Sequence, residues 1–409
     1  MRSFDENLDL YARVAIEVGL NLRKGQRLSI SASVLTAEYV RRVVRAAYAA
    51  GAHDVYIDWH DDEISLSRLL LAPEEALTDV PAWAVQRVET LVSQRAAMLG
   101  IGAPAPNLYK DVAPARLAKA THAQREATRK ANDERLAKTN WLGIAAATPR
   151  WAAQVYPEEP VDRAVERLWE ILFQLCRIDR EDPIAAWREH IADLSRRAEF
   201  LNRHAFRRLR YSGPGTELVV ALPRRHRWKT AEMTDEAGTR YVANIPTEEA
   251  FTAPQRDGVN GTVRSTLPLN YQGVTIENIR LRLVDGEIVE YDADSGREAL
   301  KSIIETDEGS RRLGEIALVS QDSPIARSGR LFYNTLYDEN ASCHIAIGTA
   351  IPFCIEGGTD MTPQEMEAAG ANHSMAHVDF MIGSDELDVT GEAEGGALVP
   401  LLHKGRWAF

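Results

Sequence analysis

The sequence predicts two domains of different class. An N-terminal α/β domain on a parallel sheet covers residues 1–205, and a C-terminal, mainly antiparallel α+β domain covers residues 206–409. Three observations carry that reading. A chain of 409 residues exceeds what one ordinary core accommodates, so two domains are the default. In the first half, short apolar runs alternate with stretches of helical periodicity, the pattern of a parallel sheet with right-handed crossovers. From Arg207 onward the texture becomes a series of strand-like runs broken by turn residues.

In the first half, Gln26–Ser31, Asp54–Trp59, Met98–Gly102 and Asn140–Ala146 read as buried strands. Between the first two, Ala37–Ala50 is an Ala/Val/Arg-rich helical stretch that Gly51 closes. Ala113–Lys138 reads as one long solvent-facing helix, or two with a short break, followed by helices at Val161–Cys176 and Pro183–His204. In the second half, TELVVALP, TVRSTLPLNYQG, IRLRLVDGEIVEYDA, LGEIALVS and HVDFMIGS are strand-like. Turns are expected at Gly213-Pro214-Gly215, Asp257-Gly258, Asn260-Gly261 and Asp285-Gly286, the last making Ile279–Tyr291 a hairpin.

Composition narrows the function classes. With 45% hydrophobic and 26% charged residues and no apolar run of membrane-spanning length, the chain reads as a soluble globular protein. Its first residues, MRSFDENLDLYARVAIEVG, lack the apolar core of a signal peptide, so a cytoplasmic location is expected. Cys176, Cys343 and Cys354 form neither a disulfide framework nor a zinc ribbon. The net charge of -12 repels phosphate backbones and anionic membranes, so neither nucleic acid nor a membrane is an expected partner.

Chemistry concentrates in the second half. In a strand at Ala376–Ile382, His377 and Asp379 share a face while Val378 and Phe380 take the other. An imidazole beside a carboxylate on a rigid strand suits a divalent cation such as zinc, cobalt or manganese, and equally suits a plain His–Asp hydrogen bond. Glu248 and Glu249 lie in a stretch framed by prolines, either at a site or in the first turn of a short helix capped by Thr247. Glu315 interrupts the apolar run Leu313–Val319, and a carboxylate buried there needs a partner, an arginine being one option. His344, taken alone, fits a hydrogen-bonded core histidine as well as a ligand.

In order and spacing, PTEEAFTAP, LGEIALV, LFYNTLYDENASCH and AHVDFMIGS resemble the aminopeptidase T/aminopeptidase S/PepS family of metallopeptidases. The segments LDLYARVAIEVGLNLRKGQ, YSGPGTELVVALP and GRWAF extend that resemblance over nearly the whole chain. The resemblance implies an N-terminal α/β domain paired with a C-terminal metal-binding domain, in a homodimer. It implies two divalent metal ions per chain (zinc, cobalt, manganese or magnesium), with ligands falling on Glu249, Glu315, His344, His377 and Asp379. It further implies hydrolysis of peptides with a free N-terminus by metal-activated water. Glu339, in a polar turn before His344, is the first candidate to take that water's proton, and Glu248 the second. One position departs from the family: a tyrosine held near the metals there is replaced by Ile351 here, which can neither donate a hydrogen bond nor exchange a proton. That departure keeps two alternatives open. One is a related metalloenzyme acting on an aromatic substrate (dioxygenase or aminohydrolase), and the other a weakly active peptide-binding homologue.

Overall fold

The four apolar runs of the first half pair in parallel as β1 (Arg27–Ser33), β2 (Asp54–His60), β3 (Ala97–Gly102) and β4 (Trp141–Ala145), in the order β2-β1-β3-β4. The computed structural model describes residues 2–271 and 273–409. Inward residues of the strands (Leu28, Ile30, Leu99, Ile101, Leu142 and Ile144) are buried, as are Tyr39, Val40, Val43 and Ala47 of helix Ala37–Ala49. An aromatic cluster fixes the helices of this layer, with Tyr11 stacked on Tyr39 at 5.2 Å and Trp169 on Phe173 at 5.6 Å. Pro114–Lys138 is one uninterrupted helix, consistent with its richness in Ala, Lys, Arg and Glu. Between β2 and β3 lie helices Asp62–Leu71, Glu74–Thr78 and Ala82–Ser93, which the sequence pattern does not single out. Pro73 and Pro81 divide this stretch into pieces too short to show a clear period.

The chain packs as two units. One runs through His190 and takes in Glu232–Pro246; the other comprises Ile191–Ala231 and Thr247–Phe409. The segment that belongs with the first unit contains a small antiparallel pair, Glu232–Thr234 with Arg240–Val242, and Asn244 bridges to Gly143.

The second unit holds an eight-stranded antiparallel sheet. Its order is Glu287–Asp292, Arg280–Val284, Val259–Arg264, Thr216–Ala221, Arg208–Gly213, Asp388–Glu392, Leu398–His403 and Arg406–Trp407. The Asp285-Gly286 hairpin forms as the sequence predicts. Asn260-Gly261 does not make a turn: both residues lie inside strand Val259–Arg264. Gly261 is needed there for a close approach, because its φ is +126° and a Cβ would meet the Glu217 carbonyl oxygen at 2.1 Å.

A second antiparallel sheet in this unit consists of β5 (Ala250–Thr252), β6 (Leu313–Leu318), β7 (His344–Gly348) and β8 (His377–Met381), in the order β8-β7-β6-β5. Ala250, Ile316, Leu318, Ile345, Ile347, Val378 and Phe380 point from one face into the main core of the unit. Strand alternation sends the intervening residues to the other face, and those residues carry the chemistry.

Candidate metal centre

Strand register places four of the five sequence-predicted ligands on that second face, and the fifth, Glu249, immediately precedes β5. Ala317 is paired with Phe251 on β5 and with His344 on β7, so all three share a face. Two residues along β6, Glu315 pairs with Ala346, which in turn pairs with Asp379 on β8. His377 follows opposite Gly348, on the same face by alternation. Glu249 enters from the extended residues just before β5, not from the short helix that was the alternative reading of its segment.

A β-bulge aims Glu315. The register between β6 and β7 shifts between Leu313 and Glu315, so Leu313 joins the apolar core while Glu315 takes the polar face. Gly314 is the residue at this irregularity, and a Cβ on it would meet the Thr349 carbonyl oxygen at 2.1 Å and that of Gly348 at 2.4 Å.

The side chains converge. His344 Nε2 lies 3.0 Å from Glu249 Oε2 and 3.7 Å from Glu315 Oε1. His377 Nε2 lies 3.5 Å from Glu315 Oε2 and 3.5 Å from Asp379 Oδ2. Glu315 therefore belongs to two clusters, one with Glu249 and His344 and one with His377 and Asp379. Within each cluster the donor atoms lie within 4.8 Å of one another.

The two imidazoles are oriented from behind. His344 Nδ1 faces the carbonyl oxygens of Glu339 at 2.9 Å and Ser342 at 3.1 Å, and His377 Nδ1 faces that of Thr349 at 2.8 Å. A carbonyl only accepts, so each Nδ1 carries a proton and each Nε2 presents to the carboxylates. An Nε2 lone pair beside a carboxylate oxygen needs a proton or a cation between them. The electrostatics express that need: burial pushes His344 down, but hydrogen bonds to Glu249 and Glu315, with the charges of Glu249 and Asp379, hold it well above the usual histidine range. His377 is raised too, with burial opposed chiefly by the charges of Asp379 and Glu315. Burial pushes Glu315 up to about 7, against the hydrogen bond from His344.

A divalent cation fits this arrangement. Two ligand atoms about 2.0–2.2 Å from one ion stand roughly 3–3.6 Å apart, the spacing of most of these pairs. Asp379 Oδ1 is buried without a hydrogen-bond partner, a coordination position left over on the polar face. The donors are all carboxylate and imidazole, with no thiolate to impose softness.

Of the candidate proton acceptors, Glu339 is buried within the field of this cluster. Burial first, then the charges of Asp379 and Glu249, push its carboxyl well above the usual range. Glu248 is buried beside Glu249, and its main-chain N–H donates to Asn340 Oδ1 at 2.6 Å. Asn340 is a positioning residue that the sequence reading missed. It is fully buried, its Nδ2 donates to the Leu336 carbonyl, and its own carbonyl accepts from Ser323 Oγ. One asparagine thus ties the Glu248–Glu249 segment to the loop before His344, and nothing in a polar Asp-Glu-Asn run marks it from outside. Ile351 is partly buried and precedes the 3-10 turn Pro352–Cys354, whose Cys354 N–H donates to its carbonyl.

Comparison with known proteins agrees with the geometry. Residues 4–407 match the model of the thermophilic metalloprotease family M29. The chain is 43% identical to aminopeptidase 2 of Geobacillus stearothermophilus, covering 100% of this chain and 99% of that one. It is 42% identical to aminopeptidase T of Thermus aquaticus, covering 100% of both. The solved structure of wild-type AmpT from Thermus thermophilus superposes with a TM-score of 0.92 at 40% identity, over 100% of both chains. A 2,5-dihydroxypyridine dioxygenase from Pseudomonas putida KT2440 reaches a TM-score of 0.52 at 13% identity, over 98% of this chain and 96% of that one, a likeness of fold alone.

Proposed function

Since the chain belongs to the thermophilic metalloprotease family M29, we propose that it is an aminopeptidase that hydrolyses peptides from their free N-terminus at a dinuclear metal centre. In this reading Glu249, Glu315, His344, His377 and Asp379 would hold the metals, Glu315 being the residue that the two clusters share. The observation that carries it is the pair of imidazoles on one sheet face, each anchored through Nδ1 and turned through Nε2 toward the carboxylates of two clusters that share Glu315.

Two divalent cations bound there would supply Lewis acidity for the scissile carbonyl and make hydroxide available near neutral pH. The remaining work falls to the chain. Main-chain carbonyls fix the tautomer and tilt of both imidazoles, which keeps the ligand set preorganised. Glu339 is the group proposed to accept the water's proton and return it to the leaving amine. Burial, the first cause of its raised proton affinity, suits a group that takes up a proton and returns it. Glu248 is the second choice for that role. The mixed oxygen and nitrogen donor set supports zinc, cobalt, manganese or magnesium without strong preference.

The test has two parts. Unblocked di- and tripeptides should be shortened from the amino end, while N-acetylated versions resist. Glu315→Gln and His344→Ala should lose bound metal and nearly all turnover while keeping the circular dichroism of the wild type. Equal rates on blocked and free peptides would sink the exopeptidase reading. Full metal occupancy in either variant would remove that residue from the ligand set. Oxygen uptake with a hydroxylated aromatic substrate and bound iron would replace the proposal with the dioxygenase alternative.

A further inference from the structure

We propose that Lys229 is a specificity-determining residue that binds a carboxylate of the substrate beside the β5 edge of the metal-bearing sheet, an inference that rests on the aminopeptidase reading. Lys229 bridges to Phe251 in antiparallel fashion, each main-chain N–H donating to the other's carbonyl at 2.9 Å. Directly paired residues share a face. Phe251 is in register with Ala317, and Ala317 with His344, so Lys229 stands on the face that carries four of the five candidate ligands, beyond β5. With strands about 4.8 Å apart, the three steps from Lys229 to His344 span roughly 14 Å between Cα atoms. A lysine stem covers part of that distance, and the rest is about one or two peptide residues. The same placement appears in the field at Cys354. Burial raises that thiol most, the carboxylate of Glu315 adds to the effect, and Lys229 opposes it.

The ammonium is not committed elsewhere. The side chain is only partly buried, and among the described residues it makes no ion pair or side-chain hydrogen bond. Its neighbour Arg227, by contrast, pairs with Glu356 at 2.9 Å. A cation with no ion pair among the described residues, beside the face that carries the candidate ligands, is placed to take an anion that arrives with the substrate. Two parts of a peptide offer one: the C-terminal carboxylate of a dipeptide, and the side chain of an acidic N-terminal residue.

The experiment measures kcat/KM of wild type, Lys229→Met and Lys229→Arg at matched metal content on four unblocked substrates. These are Leu-Leu, Leu-Leu-amide, Glu-p-nitroanilide and Leu-p-nitroanilide. Methionine keeps the apolar stem in place, so packing is retained. Loss of a charge-assisted contact should cost about tenfold to a hundredfold, chiefly in KM, on the carboxylate-bearing substrate alone, with arginine restoring most of it. A loss confined to Leu-Leu relative to its amide identifies the C-terminal carboxylate. A loss confined to Glu-p-nitroanilide relative to Leu-p-nitroanilide identifies the side chain. Equal losses on all four substrates, or none on any, overturn the inference while leaving the aminopeptidase reading intact. Failure of the wild type to cleave any of them overturns both.

Discussion

Asp338, one residue before Glu339, shows how a single buried acid can organise a ligand loop. Its Oδ1 accepts the N–H of Phe332 at 2.7 Å and its Oδ2 that of Asn334 at 3.0 Å, so one carboxylate closes the turn leading into the helix Thr335–Glu339. Burial outweighs those hydrogen bonds and pushes its pKa up to about 7 from 3.8. The sign follows from linkage: the folded chain keeps a proton that the unfolded chain gives up. Its contribution to stability is therefore complete below about 4 and is lost as pH rises through about 7. Asp338→Asn removes the titration, so the variant's unfolding free energy should gain on the wild type's across that window. Denaturant unfolding of metal-free protein at several pH values checks this, and parallel curves would rule it out. Residue types in the site were legible in the sequence because His377 and Asp379 are two apart on a strand and Glu315 breaks an apolar run. What they bind through was not. The Nδ1 anchors come from the carbonyls of Glu339, Ser342 and Thr349, and carbonyls carry no residue signature. Lys229 was equally hidden, since RRHRWK reads as an exposed basic stretch until its pairing with Phe251 is known.

At the scale of elements, periodicity located strands well in the parallel sheet and where a hairpin has its Asp-Gly turn, although Asp54–His60, expected as a buried strand, is an edge strand with no fully buried residue. The expected Asp54–Trp59 and Met98–Gly102 differ from the observed strands by one residue each. It failed where local signals conflict, as in the proline-divided helices before β3 and at Asn260-Gly261, whose dipeptide favours a turn while its pairing partners hold it in a strand. The bulge at Gly314 was also invisible, because a register shift belongs to two strands and not to one sequence. Its consequence is testable. In Gly314→Ala the new Cβ would meet two backbone carbonyl oxygens closer than van der Waals contact permits, so β6 must move away from β7. Overpacking of this kind costs about 1–3 kcal/mol of stability. Glu315 should also lose its alignment, so metal affinity should fall by more than stability alone explains. Calorimetric metal titration alongside denaturant unfolding separates the two effects. Unchanged metal affinity in the folded variant would mean that the bulge does not aim the carboxylate.

At the scale of the molecule, all five candidate ligands lie in the second unit, and the parallel sheet of the first unit contributes none. In the proposed centre, ligands on β6, β7 and β8, together with Glu249 ahead of β5, would tie four neighbouring strands to common ions. Metal binding should therefore stabilise the sheet they form. For an ion present at about 100 times its dissociation constant, mass action adds roughly 2.7 kcal/mol to the folded state. Chelation should withdraw that term from the strands that supply ligands, since exchange protection reflects local stability. Amide hydrogen exchange before and after treatment with EDTA should thus show faster exchange in β5–β8 and little change in β1–β4. The apolar face of the same sheet, with Ile316, Ile345 and Phe380 in the core, should keep the unit folded without metal. That outcome differs from a small zinc domain, where the ion supplies most of the folding energy. Equal acceleration in both sheets would mean that the two units open together, and metal binding would then be a property of the whole chain's stability. No change in β5–β8 would place the ions away from these strands and remove the assigned ligand set.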